Sequence, residues 1–392
     1  MQYALYFCLL LGLSRALPNN YFTRIPPYIP QSVASHSDKL LLIRTAKLCN
    51  VLVQKLLGNR YEYSKHILSR LHRLNVIPPT PVMGLSLYEG EDAVILSIPQ
   101  ALPPFLVSST FDSTNLIRIE NSSEPTILQK LNSNYSAITS VSFPENGSYI
   151  VTNGSKPNDA ELFCVLEGQM NHVATLSGHG DRVSSFSIHQ RYPILATSSF
   201  EDDPTIRIWD LSDPSNVKCV AILKHNKSVF SVAFHDTLPI LASGGADNET
   251  ILWHLCPQSF SLISSVVLPE QRSWILDLDF HMDQSILAAS LENGDIVLWK
   301  FSKDFSSVIN SEILCHGNYA RCLKFHYSLP ILVTSANGAS VKFWHVSLSF
   351  PAVCIGEISL GSHFATANSI ALHSKLPIMA LATDDERLVL IN

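Results

Sequence analysis

The sequence predicts an all-β chain in which seven copies of a four-strand unit close into a ring, preceded by a basic helical extension. Two observations predict the ring: a repeat with the same residues in the same slots, and a spare strand just before the first copy that matches a strand missing from the last. A third sets the extension apart. Residues 1–81 hold ten Lys or Arg against Asp38 and Glu62, net +8, while the remainder holds seventeen against thirty-one acids, net −14. A basic arm on an acidic body implies different partners for the two parts, or an arm that folds back.

The repeat is plainest in segments 178–209, 224–253 and 315–344. Each carries a His, a second His ten residues later, then Pro-Ile-Leu, then a Trp. Segment 271–299 keeps the phase with Gln271 in the first His slot, and 362–392 keeps it with Ile391 in place of the Trp. Weaker copies stand at 93–121 and 134–166. Within a copy, Val229, Ser231 and Ala233 alternate with Phe230, Val232 and Phe234. A Pro-bearing turn, the apolar run Ile240-Leu241-Ala242, a Gly/Asp/Asn turn and Thr250-Ile251-Leu252-Trp253 follow. These are strand patterns punctuated by turn residues. A fourth run precedes each copy, such as 217–223 or 262–268, so four strands fill about 40–45 residues. One such sheet cannot bury both faces alone; stacking sheets around an axis buries them.

Gly178-His179 and Trp209-Asp210 complete a pattern that resembles the WD40 repeat, over about residues 82–392. The resemblance implies a seven-bladed β-propeller. It also implies that the outermost strand of the last blade comes from the N-terminal side. The last copy stops after its third strand at Asn392, and Val82–Tyr88 supplies a candidate latch.

Of the fifteen histidines, nine occupy two repeat slots: His179, His225, His316 and His363 in the first, and His189, His235, His281, His326 and His373 in the second. Slots that recur once per blade lie too far apart to share one ion at ~2 Å bonds, so no metal and no cofactor are expected. The resemblance implies instead a buried polar chain in each regular blade: Asp203, His179, Thr197 and Trp209 in blade 3, and Asp247, His225, Ser243 and Trp253 in blade 4. Blade 6 keeps His316, Thr334 and Trp344 but has Gly338 in the Asp slot; blade 5 has Gln271 and Ala289.

A partner site is expected where blades differ. By resemblance the top-face positions are Arg182, Ser184 and Asp202 in blade 3, and Ser228, Phe230 and Ala246 in blade 4. They continue as Trp274, Leu276 and Glu292 in blade 5, Tyr319, Arg321 and Asn337 in blade 6, and Thr366, Asn368 and Asp384 in blade 7. Arg182, Phe230, Trp274, Tyr319 and Arg321 are the aromatic and Arg types that dominate interface hot spots. Asp202, Glu292 and Asp384 would favour a basic peptide side chain. The competing reading packs Phe230 and Trp274 under loops as ordinary core.

Catalysis is not expected. There is no phosphate-binding Gly loop, no G-x-S-x-G and no H-E-x-x-H, and most carboxylates fall in turns, where Asp is common. Ser212 stands where the WD40 receptors of one ubiquitin-ligase class carry an Arg. The expected function is a non-catalytic scaffold for protein or peptide, without nucleic acid. The alternative is a secreted or membrane-associated propeller with hydrolase or lectin-like activity.

Compartment is open between two expectations. The cytoplasm is favoured, because no basic residue precedes the apolar run Ala4–Leu13 and the eight cysteines form no C-x-x-C pair. The secretory pathway is the alternative, because that run followed by Ser14-Arg15-Ala16 resembles a cleavable signal. Six N-x-S/T sequons, at Asn121, Asn134, Asn146, Asn153, Asn226 and Asn248, accompany it. Residues 1–20 are thus an apolar segment with possible membrane contact. Residues 21–81 hold a Pro-rich stretch, a helix over 37–57, a second over 61–75 with Ile67, Leu68, Leu71 and Leu74 on one side, and a stiff linker at Pro78, Pro79 and Pro81.

Overall fold

The computed structural model describes six strand segments between Met83 and Asn153 and most of residues 156–391. Exceptions in the latter range are 157, 167–168, 270–271, 328, 339, 350, 361–365, 373–378 and 384–386. The expected apolar segment 1–20, the two helices and the Pro-rich linker lie outside the described residues. Pro81–Asn392 form one compact unit.

The described residues of that unit form seven antiparallel sheets. The first strand in the chain, β1 (Met83–Ser86), belongs to the last blade, so the first blade begins at β2. Blade 1 comprises β2 (Ile95–Ser97), β3 (Phe105–Ser109), β4 (Ser113–Arg118) and β5 (Thr126–Asn132). Blade 2 shows β6 (Tyr149–Asn153), β7 (Ala160–Leu166) and β8 (Gln169–Leu176). Blade 3 is β9 (Val183–Ile188), β10 (Ile194–Ser199), β11 (Thr205–Asp210) and β12 (Lys218–Lys224). Blade 4 is β13 (Val229–Phe234), β14 (Ile240–Gly245), β15 (Thr250–Leu255) and β16 (Leu262–Val267). Blade 5 is β17 (Ile275–Phe280), β18 (Ile286–Leu291), β19 (Asp295–Phe301) and β20 (Val308–Cys315). Blade 6 is β21 (Ala320–Phe325), β22 (Ile331–Ala336), β23 (Ser340–His345) and β24 (Val353–Ser359). Blade 7 is β25 (Ala367–Leu372), β26 (Met379–Thr383) and β27 (Arg387–Ile391), completed by β1.

The latch is explicit in the register: Met83 faces Leu390 and Ser86 faces Arg387. The run preceding each sequence copy is the outer strand of the blade before it, as β12 pairs with β11. Copy and blade are therefore offset by one strand, which ties each blade covalently to the next.

Strand composition follows from which faces are buried. In β14, Ile240 and Ala242 join a core with Leu278, Phe280 and Trp299 of blade 5, while Leu241 joins Ile194, Ile208 and Trp253 on the side of blade 3. Both faces of a middle strand meet a neighbouring blade, so Ile-Leu-Ala runs without alternation. The same layering links blades 2 and 3 through Leu162, Phe186 and Trp209, blades 5 and 6 through Leu298, Leu323 and Trp344, and blades 6 and 7 through Val333, Ile370 and Leu381. Gln129 bonds both polar groups of the Met170 backbone, tying blade 1 to blade 2 (2.6 Å from Met170 N to Oε1).

Candidate partner-binding rim

In blade 3 the β9 approach, β10 and β11 bring Asp203, His179, Thr197 and Trp209 into one chain. Trp209 Nε1 donates to Thr197 Oγ1 (2.9 Å), Thr197 Oγ1 lies 2.7 Å from His179 Nε2, and His179 Nδ1 lies 2.8 Å from Asp203 Oδ2. With His179 donating from Nδ1, its Nε2 accepts the threonine proton, and every buried polar atom in the chain is used. Burial holds the His179 pKa below its usual value despite the adjacent carboxylate. Burial acts to raise Asp203, but hydrogen bonds from Gly180 N–H, His179 and Thr205 outweigh it and the net shift is downward. Blade 4 repeats the geometry: Trp253 Nε1 to Ser243 Oγ at 2.7 Å, Ser243 to His225 Nε2 at 2.7 Å, and His225 Nδ1 to Asp247 at 2.8 Å.

Blade 6 departs from this. Trp344 Nε1 still donates to Thr334 Oγ1 (2.8 Å), but His316 Nε2 lies against the Thr334 carbonyl oxygen (3.3 Å) and its Nδ1 has no partner. Ten residues separate Ser243 from Trp253 and Thr334 from Trp344, which puts Gly338 level with Asp247. The left-handed residue of the blade 4 turn is Asn248 (φ 64°), one step later; in blade 6 it is Gly338 itself (φ 98°). The loss of the carboxylate thus accompanies a different turn. In blade 5, Trp299 turns its Nε1 to the Pro269 carbonyl (3.0 Å); Gln271 lies outside the described residues, as do His363 and His373.

The second His slot has a role that repeat-counting alone did not reveal. His189 Nδ1 accepts from the N–H groups of Arg191 (3.0 Å) and Tyr192 (3.1 Å), and His235 Nδ1 does the same with Thr237 and Leu238 (both 3.1 Å). Each ring folds the turn that leads into Pro-Ile-Leu. Burial pushes both pKa values down to about 4, which keeps Nδ1 a lone-pair acceptor. Among the described residues, no three His, Cys, Asp or Glu side chains converge as a metal site.

At the rim, the residue three after the first His slot closes the same backbone bond in four blades. Phe200 N bonds Arg182 O (3.3 Å), Ala246 N bonds Ser228 O (2.9 Å), Glu292 N bonds Trp274 O (3.0 Å) and Asn337 N bonds Tyr319 O (3.0 Å). These bonds hold Arg182, Ser228, Trp274 and Tyr319 at equivalent points of the ring. Asp181, a residue the sequence comparison passed over, accepts from the backbone of Arg182 (2.6 Å) and of Asp202 (3.2 Å), so it positions both.

Three rings then run across blades 3 to 5. The Phe200 and Phe230 centroids are 6.2 Å apart, Phe230 and Trp274 are edge-to-face at 5.9 Å, and the Arg182 guanidinium lies over Phe200 at 5.3 Å. Trp274 is 44% exposed, while Phe230 is half-buried between its two neighbours. Phe200 was missed by slot arithmetic because it lies in the turn after β10. Arg182, Asp202 and Arg321 are exposed, and Glu292 and Tyr319 are half-buried. Asp384 lies outside the described residues.

Also missed were the inner-strand acceptors. The innermost strand of a blade has an unpaired edge whose N–H groups need partners. Side chains of the preceding blade supply them: Ser187 Oγ accepts from Phe234 N (2.9 Å), Ser231 Oγ from Leu278 N (3.1 Å), Asp277 Oδ2 from Leu323 N (3.0 Å) and Asp279 Oδ2 from Phe325 N (2.7 Å). Burial raises Asp277 to about 6, against the lowering effect of the Leu323 N–H and of Lys324. Lys324 itself pairs with Asp279.

Two segments, 170–210 and 217–254, match the family model of the WD domain, G-beta repeat. Among solved structures, the fold is shared with U3-55K (TM-score 0.66, 13% identity, 80% of this chain and 99% of that one). It is shared with a chain of the mitotic checkpoint complex (TM-score 0.63, 17% identity, 80% and 92% covered) and with the RRP9 WD40 repeats (TM-score 0.66, 13% identity, 80% and 98% covered). At such identities the likeness shows the fold alone. No curated protein matches the sequence. The chain thus has the fold of a WD40-type β-propeller, and two of its segments match the repeat model of that family.

Proposed function

We propose that this propeller is a non-catalytic scaffold that binds a protein or peptide across the rim of blades 3 to 6. The observation that carries the reading is Trp274: a large ring left 44% exposed, yet fixed edge-to-face on Phe230. An immobilised aromatic loses little entropy on binding, which is what an anchor residue requires. By their repeat slots Arg182 of blade 3 and Arg321 of blade 6 would add planar donors on either side of it, and Asp202 and Glu292 acceptors for a basic side chain. Support for a protein ligand also comes from the checkpoint-complex chain, which shares the fold and works inside an assembly.

The test is affinity purification with the Trp274→Ala/Arg321→Ala double variant. Both side chains are exposed, so the ring should fold unchanged. Loss of bound protein at a native melting temperature is the expected result; survival of every partner refutes the rim assignment.

A further inference from the structure

We infer that two copies of this chain pair edge to edge through β16, the outer strand of blade 4. Every outer strand offers one unpaired edge to solvent, and natural sheets blunt such edges with charge or cover. The other outer strands with described side chains do so. Lys218 and Lys224 lie in β12, Glu357 in β24 and Lys130 in β5, while β8 is tied to blade 1 through Met170 and β20 to blade 6 through Glu312, which accepts from Ala352 N (2.8 Å). β16 has neither device. Its sequence is Leu-Ile-Ser-Ser-Val-Val, all six residues are exposed, and Ile263 and Val267 are 65% and 55% accessible.

The strand is also complementary to itself. Leu268 N bonds Thr250 O (2.9 Å), so by alternation Ser264 and Val266 turn their amides toward β15. Ser265 and Val267 turn theirs outward. An antiparallel second copy centred on Ser265 places that residue opposite its own counterpart. Ile263 then lies opposite Val267 of the second copy, and the reverse, so aliphatic meets aliphatic. A register one step along would set Ser265 against Val267 and lose that match. The bulge that skips Ile263 in the pairing with β15 leaves Ser264–Val267 regular.

A two-fold axis through Ser265 makes the contact isologous and closed, so it ends at a dimer. Five paired residues alone fall short of the ~1,200 Å² of a stable interface. The neighbouring outer strands extend the apolar surface through Ile222 on β12 and Ile309 and Ile313 on β20. This inference is independent of the rim.

Sedimentation of the full chain over a concentration series tests it. Wild type should reach twice the monomer mass. Ile263→Lys/Val267→Lys should stay at monomer mass with unchanged circular dichroism and melting temperature, since both side chains already face solvent. A second measurement uses cysteine. Paired residues of this type lie about 5.5 Å apart at Cα, within disulfide reach. Ser265→Cys should therefore cross-link to itself under mild oxidation, with the 265–265 peptide identified by mass spectrometry, and Ser264→Cys should not. A monomeric wild type, a dimer that persists in the lysine variant, open-ended oligomers or equal cross-linking at 264 would each overturn the assignment.

Discussion

His189 donates from Nε2 to the carbonyl oxygen of Leu238, 2.8 Å away in the next blade. Because Nδ1 of the same ring accepts two backbone N–H groups, only the neutral Nε2-H tautomer makes all three bonds. One imidazole therefore folds its own turn and staples it to the neighbour.

Acid should break this arrangement. The folded pKa of His189 and of His235 is depressed from 6.5 to about 4, so their contribution is complete above pH 6.5. It falls as pH drops from 6.5 to 4, by roughly 3 kcal/mol for each buried ring. Asp277 runs the other way: its folded pKa, raised to about 6, removes a cost of roughly 3 kcal/mol as pH falls toward 4. The histidines prevail, and His179, His281, His316 and His326 shift in the same direction. Denaturant midpoints at pH 7.5, 5.5 and 4.5 should decline; a flat profile contradicts the account.

Thr197→Val should cost more than Thr334→Val. Removing the Thr197 hydroxyl strands both Trp209 Nε1 and His179 Nε2 in a buried site, about 2–4 kcal/mol. In blade 6 the hydroxyl serves Trp344 alone, about 1–3 kcal/mol. Urea unfolding of the two variants gives the comparison directly.

Restoring the missing acid should fail. Gly338→Asp supplies the carboxylate that His316 Nδ1 lacks, yet Gly338 has φ 98° and an added Cβ would approach Asn318 Nδ2 at 3.2 Å. Backbone strain of about 1–3 kcal/mol exceeds or cancels the gain of one hydrogen bond. The melting temperature should not rise; a clear increase would show that the turn relaxes to the blade 4 conformation.

Along the inner edge, Asp279→Ala should destabilise by about 1.5–3 kcal/mol, because an ionised acceptor of Phe325 N–H is lost together with the partner of Lys324. Ser187→Ala removes a neutral acceptor from Phe234 N–H and should cost about 0.5–1.5 kcal/mol. Equal losses would mean that the charge on Asp279 adds nothing.

Much of this was legible in the residues. The Pro-Ile-Leu run, the Trp ten or twelve positions after a Ser or Thr, and the spare strand at 82–88 mark two-sided burial and ring closure, which any sequence serving that geometry must show. The rim was only partly legible. Arg182, Phe230 and Trp274 came from slot arithmetic, but Phe200 and Asp181 belong to turns whose course spacing does not specify. Asp277 and Asp279 of β17 carry no mark in the repeat pattern. What they bond lies in blade 6, some 46 residues away.

From the sequence came the number and order of the repeats, because these are properties of a period, while the make-up of the buried chains in blades 3 and 4 came from the family resemblance that those residues carry. Tertiary structure alone decided which turn adopts a left-handed residue at Gly338, which carbonyl His189 reaches, and which rings meet at the rim. Those outcomes depend on two blades at once. A repeat specifies what each blade is, whereas the fit between unlike neighbours is settled only when their side chains compete for the same space and the same hydrogen bonds.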